Sequence, residues 1–429
     1  MNKIIGNFKQ KKVIIVVLLV PLMFSGSPVQ AVNRPENIGE VTQQHLQTTG
    51  AKKINPTTIQ VHLSNNQMMT FDFYGENIFR LFQDNKGGSL RDPEARPAAK
   101  ILVDQPRKVV SRLDLSENND LITIKTGKIE VQLNKKTTLL KVINTEANAV
   151  AFEMTKPISF TEKEVTLTLK ENPQEYFYGG GVQNGRFSHK GKLISIENQN
   201  SWTDGGVASP TPYYWSTNGY GMMWHTFKKG KYDFGAETQG TVKLFHETDY
   251  LDVFFMINNG VVALLNDFYQ LTGNPVLLPK FGFYEGHLNA YNRDYWQENK
   301  NGILFEDGKR YKESQKDNGG IKESLNGEKN NYQFSARAVI DRYKNHDMPL
   351  GWLLPNDGYG AGYGQTETLD GNIQNLRNLA DYANKNGVEI GLWTQSDLHP
   401  KEGVSALLQR DIVKEVRDAG VRVLKTDVA

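Results

Sequence analysis

The sequence contains no cysteine. That excludes disulfides, thiolate metal centres and cysteine nucleophiles. It has almost no net charge, with 50 basic residues against 48 acidic ones and a formal +2. Such a balance gives no reason to expect nucleic acid or an anionic surface as a partner. No Gly-rich phosphate loop follows any strand, and Glu285-Gly286-His287 is not a metal motif. No metal and no cofactor are expected. Past the first thirty or so residues there is no apolar run approaching the roughly 20 residues needed to span a bilayer. At this length two or three domains are expected.

The N-terminus is the exception to the general polarity. Lys3, Lys9, Lys11 and Lys12 precede the apolar run VIIVVLLVPLMF, Val13 to Phe24, and SGSPVQA follows. The run is short for a span, and Val29 and Ala31 occupy the −3 and −1 positions of a cleavage site. Residues 1–31 therefore read as a secretory signal peptide, with a membrane anchor as the alternative. The expectation is a secreted or cell-surface protein with no membrane span after signal cleavage.

Residues 32–279 read as a β-sandwich. LITIKTGKIEVQL alternates Ile122 and Ile124, then Ile129, Val131 and Leu133, about a turn at Gly127. EVTLTL repeats the pattern with Val165, Leu167 and Leu169, and YLDVFFMINNG adds a strand and a turn. Many short strands punctuated by Gly, Asn and Asp suit a sandwich.

From residue 280 the apolar period lengthens. SARAVIDRYKNH predicts a helix capped by Ser335, with Ala336, Val339, Ile340 and Tyr343 on one face. MPLGWLL then reads as a buried strand. NIQNLRNLADYANKNG predicts a second helix, with Ile373, Leu376, Leu379, Ala380 and Ala383 inward and Gly387 at its end. VEIGLW is the next strand, ALLQRDIVKEVRDAG a third helix ending at Gly420, and VRVLKTD a further strand. Each helix is expected to stop at glycine, the residue best suited to a left-handed C′ position. Helices alternating with apolar strands imply a parallel sheet. A doubly wound sheet and an eight-stranded barrel both fit four strands. The polar stretch 294–334 reads as an insertion in the first βα loop, with a short hairpin near Asp307-Gly308. It is either a mobile surface loop or a lid.

Several ordered motifs resemble glycoside hydrolase family 31: EYFYGGGVQNGRF from Glu175, TPYYWSTNGYGMMWH from Thr211, LLNDFYQLTGNPVLLPKFGFY from Leu264, MPLGWLLPNDGYG, and GVRVLKTDVA. The similarity runs from about Pro56 onward. It implies a multi-domain fold, β followed by α/β: an N-terminal β-sandwich, then residues 280–429 as the first half, strands one to four, of a catalytic (β/α)₈ TIM-type barrel. It implies a retaining α-glycosidase whose nucleophile is an aspartate in a K-x-D context after strand four, which maps onto Asp427. The family's general acid/base, an aspartate after strand six, would fall beyond residue 429, so the chain is expected to be part of its enzyme and inactive alone. Where the family has a motif close to D-I-D, this chain has Asn356-Asp357-Gly358. That departure argues against glucose, and PNDGYG resembles a subgroup acting on α-N-acetylgalactosamine.

The residues support this chemistry to different degrees. A retaining glycosidase flanks the anomeric carbon with two carboxyl groups roughly 5–5.5 Å apart. Lys425 lies two residues before Asp427, on the same face of a regular strand, where it supports an ionised carboxylate. By spacing alone, Asp427 reads more readily as the cap of a following helix. Asp357 is either a turn residue or an acceptor for two sugar hydroxyls, with Asn356 beside it. Trp393 is either core or a flat face for a sugar ring. Asp397 follows it. Asp204 lies in a sandwich loop that reaches over the barrel in this family, and Glu285 and His287 are expected after strand one. The expected partner is a carbohydrate, with α-N-acetylgalactosaminidase the first specificity and α-glucosidase the second. A transglycosylase of the same family and a non-catalytic carbohydrate-binding protein are the alternatives.

Overall fold

The computed structural model describes residues 46–199, 201, 203–289, 295–314, 316–355, 369–394 and 412–426. The signal-peptide reading of residues 1–31 lies outside these. The chain divides into two compact units, with the break between Asn274 and Pro275.

The first unit is built of antiparallel sheets. Its largest has eight strands, ordered Thr48–Asn55, Thr58–Leu63, Met68–Gly75, Ile78–Asp84, Tyr250–Ile257, Tyr220–Trp224, Val207–Ser216 and Phe177–Gln183. Two five-stranded sheets accompany it. One is Asp114–Glu117 through Ala149–Glu153 in simple sequence order, and the other centres on Val165–Lys170, Thr241–His246 and Gly230–Phe234. An antiparallel bridge between Met154 and Leu169 links these two. A single apolar core runs through all three sheets. The alternation read from sequence is the alternation of burial: Ile122, Ile124, Ile129, Val131 and Leu133 are enclosed, as are Val165, Leu167 and Leu169. The outer face of the eight-stranded sheet is not bare. Helix Val261–Thr272 covers part of it, with Leu264 and Leu271 packed on Tyr74, Tyr213, Met223 and Phe254.

The second unit holds a four-stranded parallel sheet in sequence order: Glu285–Asn289, Leu350–Pro355, Glu389–Thr394 and Val423–Thr426. Helices Ala336–Asn345, Leu369–Lys385 and the described part of the third, Ile412–Ala419, accompany it. Leu353, Ile390 and Leu392 pack with Leu376, Leu379, Ala380 and Ala383 from the helices. Ser335 caps the first helix by accepting a hydrogen bond from the Ala338 amide, as expected.

Two details differ from the sequence reading. Gly387 and Gly420 do follow their helices in the left-handed region, but the helix Ala336–Asn345 ends without glycine. Asp347 takes the left-handed position at φ +53°. Its amide donates to the Lys344 carbonyl and that of Met348 to the Tyr343 carbonyl, the paired bonds of a Schellman stop. Aspartate substitutes because its short polar side chain tolerates this conformation.

Part of the stretch 294–334, expected as a loop or lid, is a three-stranded antiparallel sheet of Tyr295–Leu304, Arg310–Ser314 and Ile321–Lys322. The hairpin turns through Asp307-Gly308 with Gly308 at φ +78°. Trp296, Phe305, Tyr311 and Phe334 form its core, Trp296 stacked on Phe334 at 5.5 Å. The Trp296 indole donates to Glu323 at 2.8 Å.

Candidate functional site

In a parallel sheet, side chains in register share a face and alternate along each strand. Leu353 pairs with Ile390 and with His287. These three define the helix-covered face, since Leu353 and Ile390 pack against the helices. Trp352, Leu354, Gly391 and Trp393 therefore occupy the opposite face. Trp393 is in register with Lys425 of the neighbouring strand, so Lys425 lies on that opposite face, one residue before the end of its strand. It is half-buried. Ligands bind beyond the carboxyl ends of parallel strands, which is where the chain continues into Asp427.

Asp427, Asp357, Asn356 and Asp397 lie outside the described residues. What the structure fixes is the strand that leads into each. Leu350–Pro355 ends one residue before Asn356, and Glu389–Thr394 ends three residues before Asp397. The sheet brings together Trp393 and Lys425 but gives them different surroundings. Trp393 is completely enclosed, so it offers no open ring face and acts here as a packing residue.

Glu285 and His287 are placed differently from expectation. The apolar Phe281, Phe283 and Tyr284 suggest a strand that ends before Glu285. Instead Lys280–Phe283 is a 3₁₀ turn, and the strand begins at Glu285. Glu285 opens the strand at the end away from ligand-binding loops, and it is exposed. His287 points into the helix layer. Its Nδ1 lies 3.3 Å from the Tyr343 hydroxyl, and burial, with Arg342 nearby, holds its pKa below the usual imidazole value. Neither residue joins Trp393 and Lys425.

Asp204 belongs to the first unit. It sits exposed in a turn closed by the Gly206 amide donating to the Thr203 carbonyl. Gly185 packs so closely on it that a β-carbon there would meet Asp204 Oδ1 at 2.7 Å. The left-handed Gly185, at φ +66°, is what allows the turn to fold onto the following strand.

The family-model match falls within the first unit. Residues 68–233 match the family described as "Glycosyl hydrolase 31 N-terminal galactose mutarotase-like domain". The α-xylosidase XylQ of Lactiplantibacillus pentosus is 22% identical over 212 residues, which is 45% of this chain and 27% of that protein. An α-xylosidase of Emericella nidulans is 25% identical over 146 residues, 34% of this chain and 18% of that protein. The chain thus spans about a quarter or less of the length of these curated relatives. Among solved structures, a family 31 dextranase of Flavobacterium johnsoniae in complex with isomaltotriose superposes with a TM-score of 0.62 at 13% identity. That match covers 82% of this chain and 38% of the dextranase.

Proposed function

We propose that the chain is the part of a secreted retaining α-glycosidase of glycoside hydrolase family 31 that carries the nucleophile, Asp427, a reading supported by the match of residues 68–233 and by the two α-xylosidase relatives. The observation that supports this most directly is the position of Lys425, on the face turned away from the helices and at the carboxyl end of the fourth parallel strand. An ammonium there favours the ionised form of a carboxylate two residues on. On this reading the four strands are the first half of a (β/α)₈ barrel, following the β-sandwich.

The reaction proceeds in two displacements. Asp427 attacks the anomeric carbon while a second carboxyl group protonates the departing oxygen. Water, activated by that second group, then releases the sugar from the glycosyl-enzyme ester. Asp357 and Asn356 follow the second strand and are assigned to the sugar hydroxyls. Each hydrogen bond to a charged group there contributes about 1.5–3 kcal/mol. Trp393 supports the sheet from within. Asn356-Asp357-Gly358 favours an α-N-acetylgalactosaminide over an α-glucoside. The curated relatives, both α-xylosidases, favour an α-xyloside.

A panel of aryl α-glycosides of N-acetylgalactosamine, xylose and glucose, assayed on the active protein, tests the reading. Hydrolysis of one of them with retention at the anomeric centre is expected. Inversion, or hydrolysis that survives Asp427→Asn, refutes the assigned nucleophile.

A further inference from the structure

We propose that the first unit holds a second carbohydrate site, a cavity beneath residues 99–106 that takes a single sugar ring and uses His225 Nε2 to accept a hydroxyl hydrogen. This goes beyond the glycosidase reading and does not depend on it.

The sequence places a charge among apolar residues inside each of two neighbouring strands, Arg80 in IFRLFQD and Asp252 in YLDVFFMI. Buried charges require partners, and these two find each other. Arg80 donates from Nε and Nη2 to the two Asp252 oxygens, both at 2.7 Å, and both side chains are 1% exposed. Nη1 of Arg80 reaches Asp92 at 3.1 Å. Asp252 Oδ2 also lies 2.9 Å from His225 Nδ1, and the His225 amide donates to the Asp252 carbonyl at 2.8 Å.

A carboxylate held bidentately by a guanidinium is ionised and can only accept. In the neutral ring Nδ1 is therefore the donor, and the lone pair sits on Nε2. Nε2 has no hydrogen-bond partner among the described residues. The ring forms part of the wall of a cavity of about 270 Å³, together with Tyr74, Asp92, Lys100, Leu102 and Asp104.

The roof of this cavity is fixed in place. The Val103 amide donates to the Leu271 carbonyl and the Lys108 amide to the Tyr74 carbonyl, each at 2.9 Å. Gln270 Nε2 donates to both Tyr74 O and Pro106 O. Ile101 and Leu102 pack on the apolar cluster of the helix Val261–Thr272. A pocket held open by its own framework binds without the cost of ordering a loop.

The lining selects the ligand class. His225 Nε2, Asp92 and Asp104 accept, and the Lys100 ammonium, paired to Asp104 at 3.3 Å, donates. An excess of acceptors suits a ligand rich in hydroxyl donors. Two carboxylates disfavour an anion. Among the described residues no group of three ligating side chains is placed to hold a metal ion. The volume lies near the small end of the roughly 300–1,000 Å³ range of ligand pockets, which fits one ring and not a chain.

Saturation-transfer NMR on the full chain, with free glucose, galactose, xylose and N-acetylgalactosamine at millimolar concentration, tests the site. At least one sugar is expected to receive saturation. Ala99→Trp, at an exposed position in the cavity wall, should abolish the cavity's share of that signal. His225→Phe should weaken binding about fivefold, the worth of one hydrogen bond. If His225→Phe does not fold, Ala99→Trp alone decides. Asp357→Ala disables the proposed catalytic site, so saturation that persists in Asp357→Ala and is lost in the Asp357→Ala/Ala99→Trp double variant belongs to this cavity. Absence of saturation for every sugar overturns the proposal, as does a signal that Asp357→Ala removes and Ala99→Trp does not.

Discussion

The two units differ in whether they enclose an ion pair. The first buries it: Arg80, Asp252 and His225 form a network whose members are each 1% exposed, and Glu175 is fully enclosed with Ser216 donating to it at 2.5 Å. Among the described residues the ion pairs of the second lie at the surface, as in Arg377–Asp381 and Lys309–Glu298, with both partners around half exposed. Exposed pairs contribute about 0–1 kcal/mol. Breaking a buried pair costs about 3–5 kcal/mol, because the survivor is stranded without water. The first unit is therefore expected to respond to polar substitution as a structure, and the second as a site.

The largest effect tests the second half of that contrast. Asp427→Asn in the active protein is expected to remove turnover on an activated aryl α-glycoside while leaving the melting temperature unchanged. Retention of more than about a tenth of the rate, a loss of only ~1.4 kcal/mol in the barrier, would sink the assignment. The converse case is Asp252→Ala. It leaves Arg80 buried without its main partner and should cost about 3–5 kcal/mol in a urea titration of the first unit. A change under about 1 kcal/mol, the range of surface pairs, would erase the distinction between the units.

Acid should sharpen the same contrast. Burial pushes His246 down to about 4, with its Nδ1 against the Lys228 carbonyl and its Nε2 against the Tyr232 hydroxyl, each at 2.9 Å. An imidazole whose folded pKa is depressed stabilises the fold above its unfolded value, near 6.5, and loses that contribution as pH falls toward 4. The first unit is expected to lose up to about 3 kcal/mol between pH 7 and 4 from this group. His246→Gln should flatten that part of the stability–pH curve, and an unchanged slope would show that another group dominates. The smallest effect is in the second unit. Ser335→Ala removes the cap on the Ala338 amide and should cost about 1 kcal/mol, read as earlier loss of helical signal on heating. No shift at all would mean that the helix start is held by packing of Ala336 and Ile340.

Legibility in the sequence followed the same physics. Elements that bury one face announced themselves: the isoleucines around Gly127, Ser335 before its helix, and Leu376, Leu379, Ala380 and Ala383 on one helical stripe. The polar stretch after Asp294 did not. The hairpin strand Tyr295–Leu304 encloses little beyond Trp296, so it carries no period-two pattern, and its order comes from four aromatic rings distant in sequence. The start of the first parallel strand was misread because apolar side chains in a 3₁₀ turn look like a strand. The Arg80–Asp252–His225 network was missed altogether. Its members are up to 172 positions apart, yet a signal was present: a charge flanked on both sides by apolar residues inside each of two strands. For the strand-end residues, types and order were readable, whereas faces were not. Only the register of Trp393 with Lys425 assigns those.

The folded insertion has a bearing on how such a protein changes over time. Trp296, near its beginning, stacks on Phe334 at its end, so the chain leaves and returns at nearly the same point. A segment whose ends meet can be lengthened, shortened or exchanged without displacing the strand before it or the helix after it. The aromatic cluster gives the segment a core of its own, so variation there is partly insulated from the sheet. The first βα connection is thus a place where lineages sharing this framework can diverge in length and surface chemistry while the strand ends keep their spacing.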